Sequence, residues 1–151
     1  MKLFVKTNSD VQETEVTIRC RERDEEVENI ISGIHSSIKQ IIGKKDNGDS
    51  CQVALTKVLY FEALEGNVFA YLEQSVIRVK NTLYELEYSY KNHHFIRISK
   101  SVVVNLRAIK NIKPEEGRKL ILELKNSEHL VVSKNYVSVL KKALCMKEDK
   151  K

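Results

Sequence analysis

The apolar residues of this chain follow two kinds of spacing, and the change from one to the other divides it. Residues 3–6 and 15–20 alternate. In the second run Val16, Ile18 and Cys20 face one way while Glu15, Thr17 and Arg19 face the other, which is the period of a half-buried strand. From Asp24 onward the period lengthens, and Val27, Ile30, Ile31, Ile34, Ile38, Ile41 and Ile42 fall on one helical face. Asp24 suits an N-cap, Glu25, Glu26 and Glu28 suit the positive end of the helix dipole, and Gly43 with Lys44 and Lys45 suits its end. Residues 44–50, KKDNGDS, have the composition of a linker. The expectation for residues 1–45 is a ββα unit, too short for a phosphoacceptor receiver domain.

Beyond residue 50 short β-type runs crowd together. Residues 52–55, 58–63, 68–73 and 76–80 are separated by only two to four residues, Thr56-Lys57, 64–67 and Gln74-Ser75, which favours hairpins and an antiparallel sheet. Thr82-Leu83-Tyr84-Glu85 has the form of a capping box and opens a short helix. Two further runs, 95–98 and 102–104, enclose Ser99-Lys100-Ser101, a basic corner with no reason to be buried. Runs at 109–113, 120–124 and 129–132 follow, and Ser133 then opens a final helix with Tyr136, Val137, Leu140 and Leu144 on one face. The fold class expected is α+β and mostly β, with a strand-rich domain over residues 51–146 and a polar tail at 147–151.

Composition narrows the function. The cysteines are three, Cys20, Cys51 and Cys145, scattered and without a C-x-x-C pair, so reduced thiols in a cytoplasm fit better than disulfides or a zinc site. No apolar run is long enough to span a membrane, and the start has no signal-peptide core. Of the charged residues, 8 Lys/Arg stand against 10 Asp/Glu in residues 1–50, whereas 18 stand against 11 afterwards. The excess positive charge of the second part points to a polyanion, nucleic acid before membrane.

Enzyme signatures are missing. The five glycines are scattered and none opens a helix after a strand, so no phosphate loop is present. His93-His94 has no acidic or cysteine partner at metal-ligand spacing, so it reads as a solvated or phosphate-contacting pair in place of a metal site, with His93 the candidate contact. Glu62 and Glu65 flank a hairpin turn and read as surface charges. No cofactor and no metal are expected. Loop tips, in contrast, repeatedly carry hydrogen-bond donors. Gly66-Asn67 sit at the first hairpin, Ser99, Lys100 and Ser101 at the corner with Arg97 beside them, and Ser133, Lys134 and Asn135 at the start of the last helix. Side chains of this kind meet phosphates, and reach base edges when a rigid scaffold enters a groove. Only 10 aromatic residues are present (6 Tyr, 4 Phe), mostly at core-type positions, so duplex DNA fits better than stacked single strands. An adaptor module that uses the same surface on an acidic protein is the alternative.

The order and spacing of the hairpin at residues 60–71, the Phe95-Ile96-Arg97-Ile98-Ser99-Lys100-Ser101-Val102-Val103-Val104-Asn105 stretch, the run at 109–112 and Val131–Tyr136 resemble the LytTR DNA-binding domain of bacterial transcriptional regulators. The resemblance covers residues 51–145. It implies an elongated β-rich domain whose loops enter successive major grooves, with base-reading positions at Gly66-Asn67, Lys100 and Lys134. It implies a backbone-fixing role for Asn105 of the Val104-Asn105 pair. Two departures stand out. Lys100 and Lys134 occupy places where arginine is common, and Ser99 one where histidine often is. Lysine lacks the planar fork that reads guanine bidentately. The whole chain resembles small stand-alone regulators of this type, which implies control by a small membrane protein. The isoleucine face of the first unit is expected either to fold back on residues 51–145 or to pair with a second copy, and the homodimer is preferred because linking two DNA-binding modules raises affinity.

Overall fold

The structure, a computed structural model, describes residues 1–12, 14–37 and 39–146, without the side chains of His35, Ser36 and Ser37. It divides into two units, Met1–Ser37 and Ile38–Lys151. The expected polar tail at 147–151 and Ile38 of the expected helix face lie outside the described residues.

In the first unit a helix, α1 (Glu25–Ser37), starts where expected: the Val27 N–H donates to the Asp24 carboxylate at 3.0 Å and the Glu28 N–H to the Asp24 carbonyl at 3.0 Å. The two strands expected ahead of it are not formed. None of the described residues before α1 joins a ladder, Val16 is 62% exposed, and Cys20, expected to face a core, is exposed. Alternation marks which face a strand would bury, but a strand also needs a neighbour to satisfy its backbone. Among the described residues the unit is therefore a helix preceded by chain that forms neither helix nor strand, and the expected ββα arrangement does not describe it.

The helix is also shorter than its isoleucines suggest. It stops at Ser37, and Gln40–Lys44 is the first strand, β1. Ile41 is 3% exposed and Ile42 67%, the alternation of a strand. Gly43 is not a helix cap. A Cβ there would stand 2.7 Å from Ile77 Cδ1 and 2.9 Å from the Arg78 carbonyl oxygen, so glycine is what lets β1 lie against the strand Val76–Val79. Residues 44–50 are not a linker but the turn of a hairpin. Lys45 N–H bonds to Asp49 O and Gly48 N–H to Lys45 O, each at 2.9 Å, and the chain returns as β2 (Ser50–Ala54).

The second unit then follows the pattern read from sequence. β3 (Tyr60–Leu64), β4 (Asn67–Tyr71), β5 (Val76–Val79), β6 (Phe95–Arg97) and β7 (Val102–Asn105) join β1 and β2 in a seven-stranded sheet ordered β2-β1-β5-β4-β3-β7-β6, every pair antiparallel. A second sheet, β10-β9-β8, is built from β8 (Ile109–Glu115), β9 (Lys119–Leu124) and β10 (His129–Val132). Helix α2 (Leu83–Tyr90) is capped as its sequence predicts, with Thr82 Oγ1 accepting from the Glu85 N–H at 3.2 Å. It lays Leu83 and Leu86 on a core of Phe61, Ala70, Ile77, Phe95 and Val103. On a second core, Val102, Val104 and Ile98 meet Leu120, Leu122, Leu124 and Leu140 of helix α3 (Lys134–Ala143). β7 thus supplies Val103 to one core and its flanking valines to the other, which is why this strand is apolar without alternation.

Candidate nucleic-acid interface

The hairpin of β3 and β4, the first one expected from sequence, turns on Glu65 and Gly66, with φ of 52° and 79°, between the paired residues Leu64 and Asn67. Two successive positive φ values match the twist of the flanking strands, and Gly66 takes its place without strain. Asn67 is exposed as the first residue of β4.

The corner at 99–101 is held from all sides. Ser99 Oγ accepts from the Ser101 N–H at 3.2 Å, so the two serines are spent on closing the turn. Four consecutive carbonyls each accept a hydrogen bond. Ile98 O takes the Ser133 N–H at 2.9 Å and Ser101 O the Ala63 N–H at 2.8 Å. Between them, Ser99 O takes Arg97 Nε at 2.9 Å and Lys100 O takes another nitrogen of the same guanidinium. The Lys100 side chain is left exposed at the tip.

These bonds gather the expected contact residues. The Ser101–Ala63 bond ties the corner to the first hairpin, and the Ser133–Ile98 bond seats the start of α3 beside it. Ser133 is the N-cap of α3 by backbone geometry, without a side-chain capping bond, and Lys134 and Asn135 are exposed in the first turn. A concavity of about 640 Å³ opens between the hairpin tip and the corner. Gly66, Asn67, Arg97 and Lys100 line it, together with Arg78, Lys80, Asn81, Thr82 and Tyr84, and no acidic residue does. Sequence reasoning had missed Arg78, Lys80, Asn81 and Thr82. The signal was present in the basic end of the 76–80 run, but nothing in its spacing said which loops it would meet.

Two expected contacts sit differently. His93 is at the opposite end of β6, its ring edge-on to Tyr90 at 6.2 Å, a separation of about 10 Å along three strand residues. Arg97 is half-buried and also bonds Glu87 at 3.2 Å. Asn105, which the resemblance made a backbone-fixing residue, is 5% exposed. It donates to Val58 O at 3.0 Å and accepts from the Arg107 N–H at 3.0 Å. Behind the interface, Tyr60 and Tyr71 stack at 4.3 Å, with hydroxyls donating to Glu128 at 2.7 Å and Glu62 at 3.1 Å. Burial, then the Glu128 bond, pushes the Tyr60 hydroxyl far above the ordinary tyrosine range, and burial raises Tyr71 too. Among the described residues no cluster of three His, Cys, Asp or Glu could hold a metal ion.

The family model of the LytTr DNA-binding domain matches residues 48–145. The chain belongs to the LytTr DNA-binding domain family. It is similar to the LytTr DNA-binding domain of a Bacillus cereus protein described as a methyl-accepting/DNA response regulator. That likeness has a TM-score of 0.65 and 31% identity over 70% of this chain and 95% of that one. Two Staphylococcus aureus proteins, from strains bovine RF122 / ET3-1 and NCTC 8325 / PS 47, are each 28% identical over 146 residues. The match covers 95% of this chain and 98% of theirs, and both carry the name of uncharacterized HTH-type transcriptional regulators. A helix-turn-helix needs two helices joined by a short turn. Among the described residues of this LytTr chain, strands stand between α1 and α2 and between α2 and α3.

Proposed function

We propose that this LytTr protein is a sequence-specific, duplex-DNA-binding regulator of transcription that grips the double helix with loops at strand ends and carries out no catalysis. The observation that supports this most is the acid-free basic concavity shared by the first hairpin and the 99–101 corner. Exposed donors on a rigid scaffold suit a major groove about 12 Å wide. In this reading Asn67, Lys100, Lys134 and Asn135 reach into grooves. Arg78 and Lys80 neutralise phosphates, His93 ahead of β6 donates a hydrogen bond to one, and Gly66, Ser99, Ser101 and Ser133 shape the loops. Hydroxyl-radical footprinting tests it: loops in successive grooves give protections about 10 base pairs apart, and one unbroken block of protection contradicts it.

The reading extends to a cytoplasmic homodimer. No helix among the described residues is long and apolar enough to cross a membrane. Val27, Ile30, Ile31 and Ile34 recur on one face of α1 at the spacing that helix pairing uses. Ile31→Glu is expected to halve the mass in solution, measured by sedimentation, while leaving residues 39–146 folded. A wild-type protein that is monomeric at high micromolar concentration contradicts the pairing. Control by a small membrane protein rests on the family resemblance alone.

A further inference from the structure

We propose that Arg97 is a positioning residue for Lys100: its guanidinium, braced by Glu87, fixes the corner backbone so that the Lys100 side chain is aimed before DNA arrives. The proposal rests on the reading that this corner meets DNA, and it takes Arg97 out of the set of direct contacts.

The geometry separates the two roles. A guanidinium has five N–H donors in a rigid plane, and its Nε–Nη edge is one of the two forks that take a phosphate bidentately, the other being the Nη–Nη edge. In Arg97 the Nε–Nη edge is given to two successive carbonyls, Ser99 O at 2.9 Å and Lys100 O, and the other nitrogen goes to Glu87 Oε2 at 3.2 Å. A phosphate on the same edge would have to displace the corner's own carbonyls. The side chain is 21% exposed, against 41% for Glu87, which suits a brace set behind the surface.

The four engaged carbonyls show what the brace adds. The outer two, Ile98 O and Ser101 O, are held by backbone N–H groups of Ser133 and Ala63. These bonds would persist whatever side chain stood at 97. The middle two flank Lys100 and set the peptide planes on each side of its Cα; Arg97 holds both carbonyls, and the Ser101 N–H bond to Ser99 Oγ adds a second hold on the Lys100–Ser101 plane only. Freed of the Arg97 hold, the tip can rotate between its fixed ends, and ordering it on DNA then costs conformational entropy. Lysine at 97 would keep the positive charge but lose the fork. Glu87 lies on α2, whose first turn also walls the concavity, so the same guanidinium joins the corner to that wall.

The experiment compares full-length Arg97→Lys, Arg97→Ala, Lys100→Ala, the double variant Arg97→Lys/Lys100→Ala and Glu87→Ala. Each is measured on a duplex selected by the wild-type protein and on random duplex, over a salt series. Arg97→Lys is expected to lower the selected-to-random affinity ratio about ten-fold, the size of one lost base contact. Random-duplex affinity and salt slope should stay unchanged, and the double variant should fall no further than Lys100→Ala alone. Glu87→Ala should act in the same direction by about three-fold, which keeps the proposal open to refutation if Arg97→Lys folds poorly. A wild-type ratio in Arg97→Lys overturns the proposal. So does equal weakening on both duplexes with about one unit lost from the slope in Arg97→Ala, which is the mark of a phosphate contact. So does additivity with Lys100→Ala. Hydrogen exchange of the Ser101 amide in the DNA-free protein separates the two levels. If Lys100→Ala leaves the ratio unchanged, the DNA reading of the corner falls; if Arg97→Lys leaves exchange unchanged, the positioning role falls.

Discussion

The Ser133 N–H donates to the Ile98 carbonyl at 2.9 Å, joining the N-cap of α3 to the last core residue before the 99–101 corner. Ser133 and Ile98 are 35 positions apart in sequence, yet this bond sets Lys134, at the start of α3, beside the corner that carries Lys100. Lys100→Ala and Lys134→Ala are therefore each expected to weaken binding to a selected duplex by about 1–3 kcal/mol. Lys142→Ala, about 12 Å farther along the same helix, should do far less. Equal losses from all three, in a fluorescence-anisotropy titration, would show that the loops do not read sequence.

Arg78 and Lys80 stand in the concavity without a partner of opposite charge among its walls. Arg78→Ala and Lys80→Ala should each lower the slope of log affinity against log salt by about 0.9. The loss should be the same on selected and random duplex, because phosphates carry no sequence. A loss confined to the selected duplex would make them base contacts instead.

Asn105 joins β7 to the Val58 carbonyl through a buried amide. Asn105→Ala strands that carbonyl and the Arg107 N–H, at about 1–3 kcal/mol for a buried group left unsatisfied. Urea denaturation should show a lower midpoint with unchanged m-value. A variant as stable as wild type would leave Asn105 with a role at the surface.

Tyr60 gives the chain an alkaline dependence. Its hydroxyl, buried and bonded to Glu128, ionises far above the usual range in the folded protein. A folded pKa raised above the unfolded value leaves the contribution intact below pH ~10 and removes it as pH rises beyond, because only the unfolded chain gives up its proton there. Wild-type stability should fall above pH ~10. In Tyr60→Phe that fall should be shallower, with about 1 kcal/mol lost at neutral pH. Parallel profiles, followed by thermal unfolding, would assign the alkaline loss to other groups.

Much of the second unit was legible because its signals are local. The Thr82–Glu85 capping box, the valines of β7 and the α3 stripe of Tyr136, Val137 and Leu140 each name an element without reference to its neighbours. The failures share a different cause. Ile41 and Ile42 fit a helical stripe as well as a strand, and the choice was made by β5, against which Gly43 lies too close for any side chain. Residues 15–20 alternate, but alternation does not supply a partner. For the site, sequence marked the exposed loop tips one by one. It could not show that Arg97 turns inward to two carbonyls and Glu87, or that Lys80 comes to share a concavity with Asn67, since both follow from how β5, β6 and α2 meet.

Selecting random duplexes on the purified full-length protein, then measuring selected and random affinities at one salt concentration, tests the central claim most directly. The account predicts a recurring sequence bound about 1,000-fold or more tighter than random duplex, with the preference reduced by Lys100→Ala and by Lys134→Ala. No enriched sequence, or equal binding to random duplex and to an acidic protein, would contradict it.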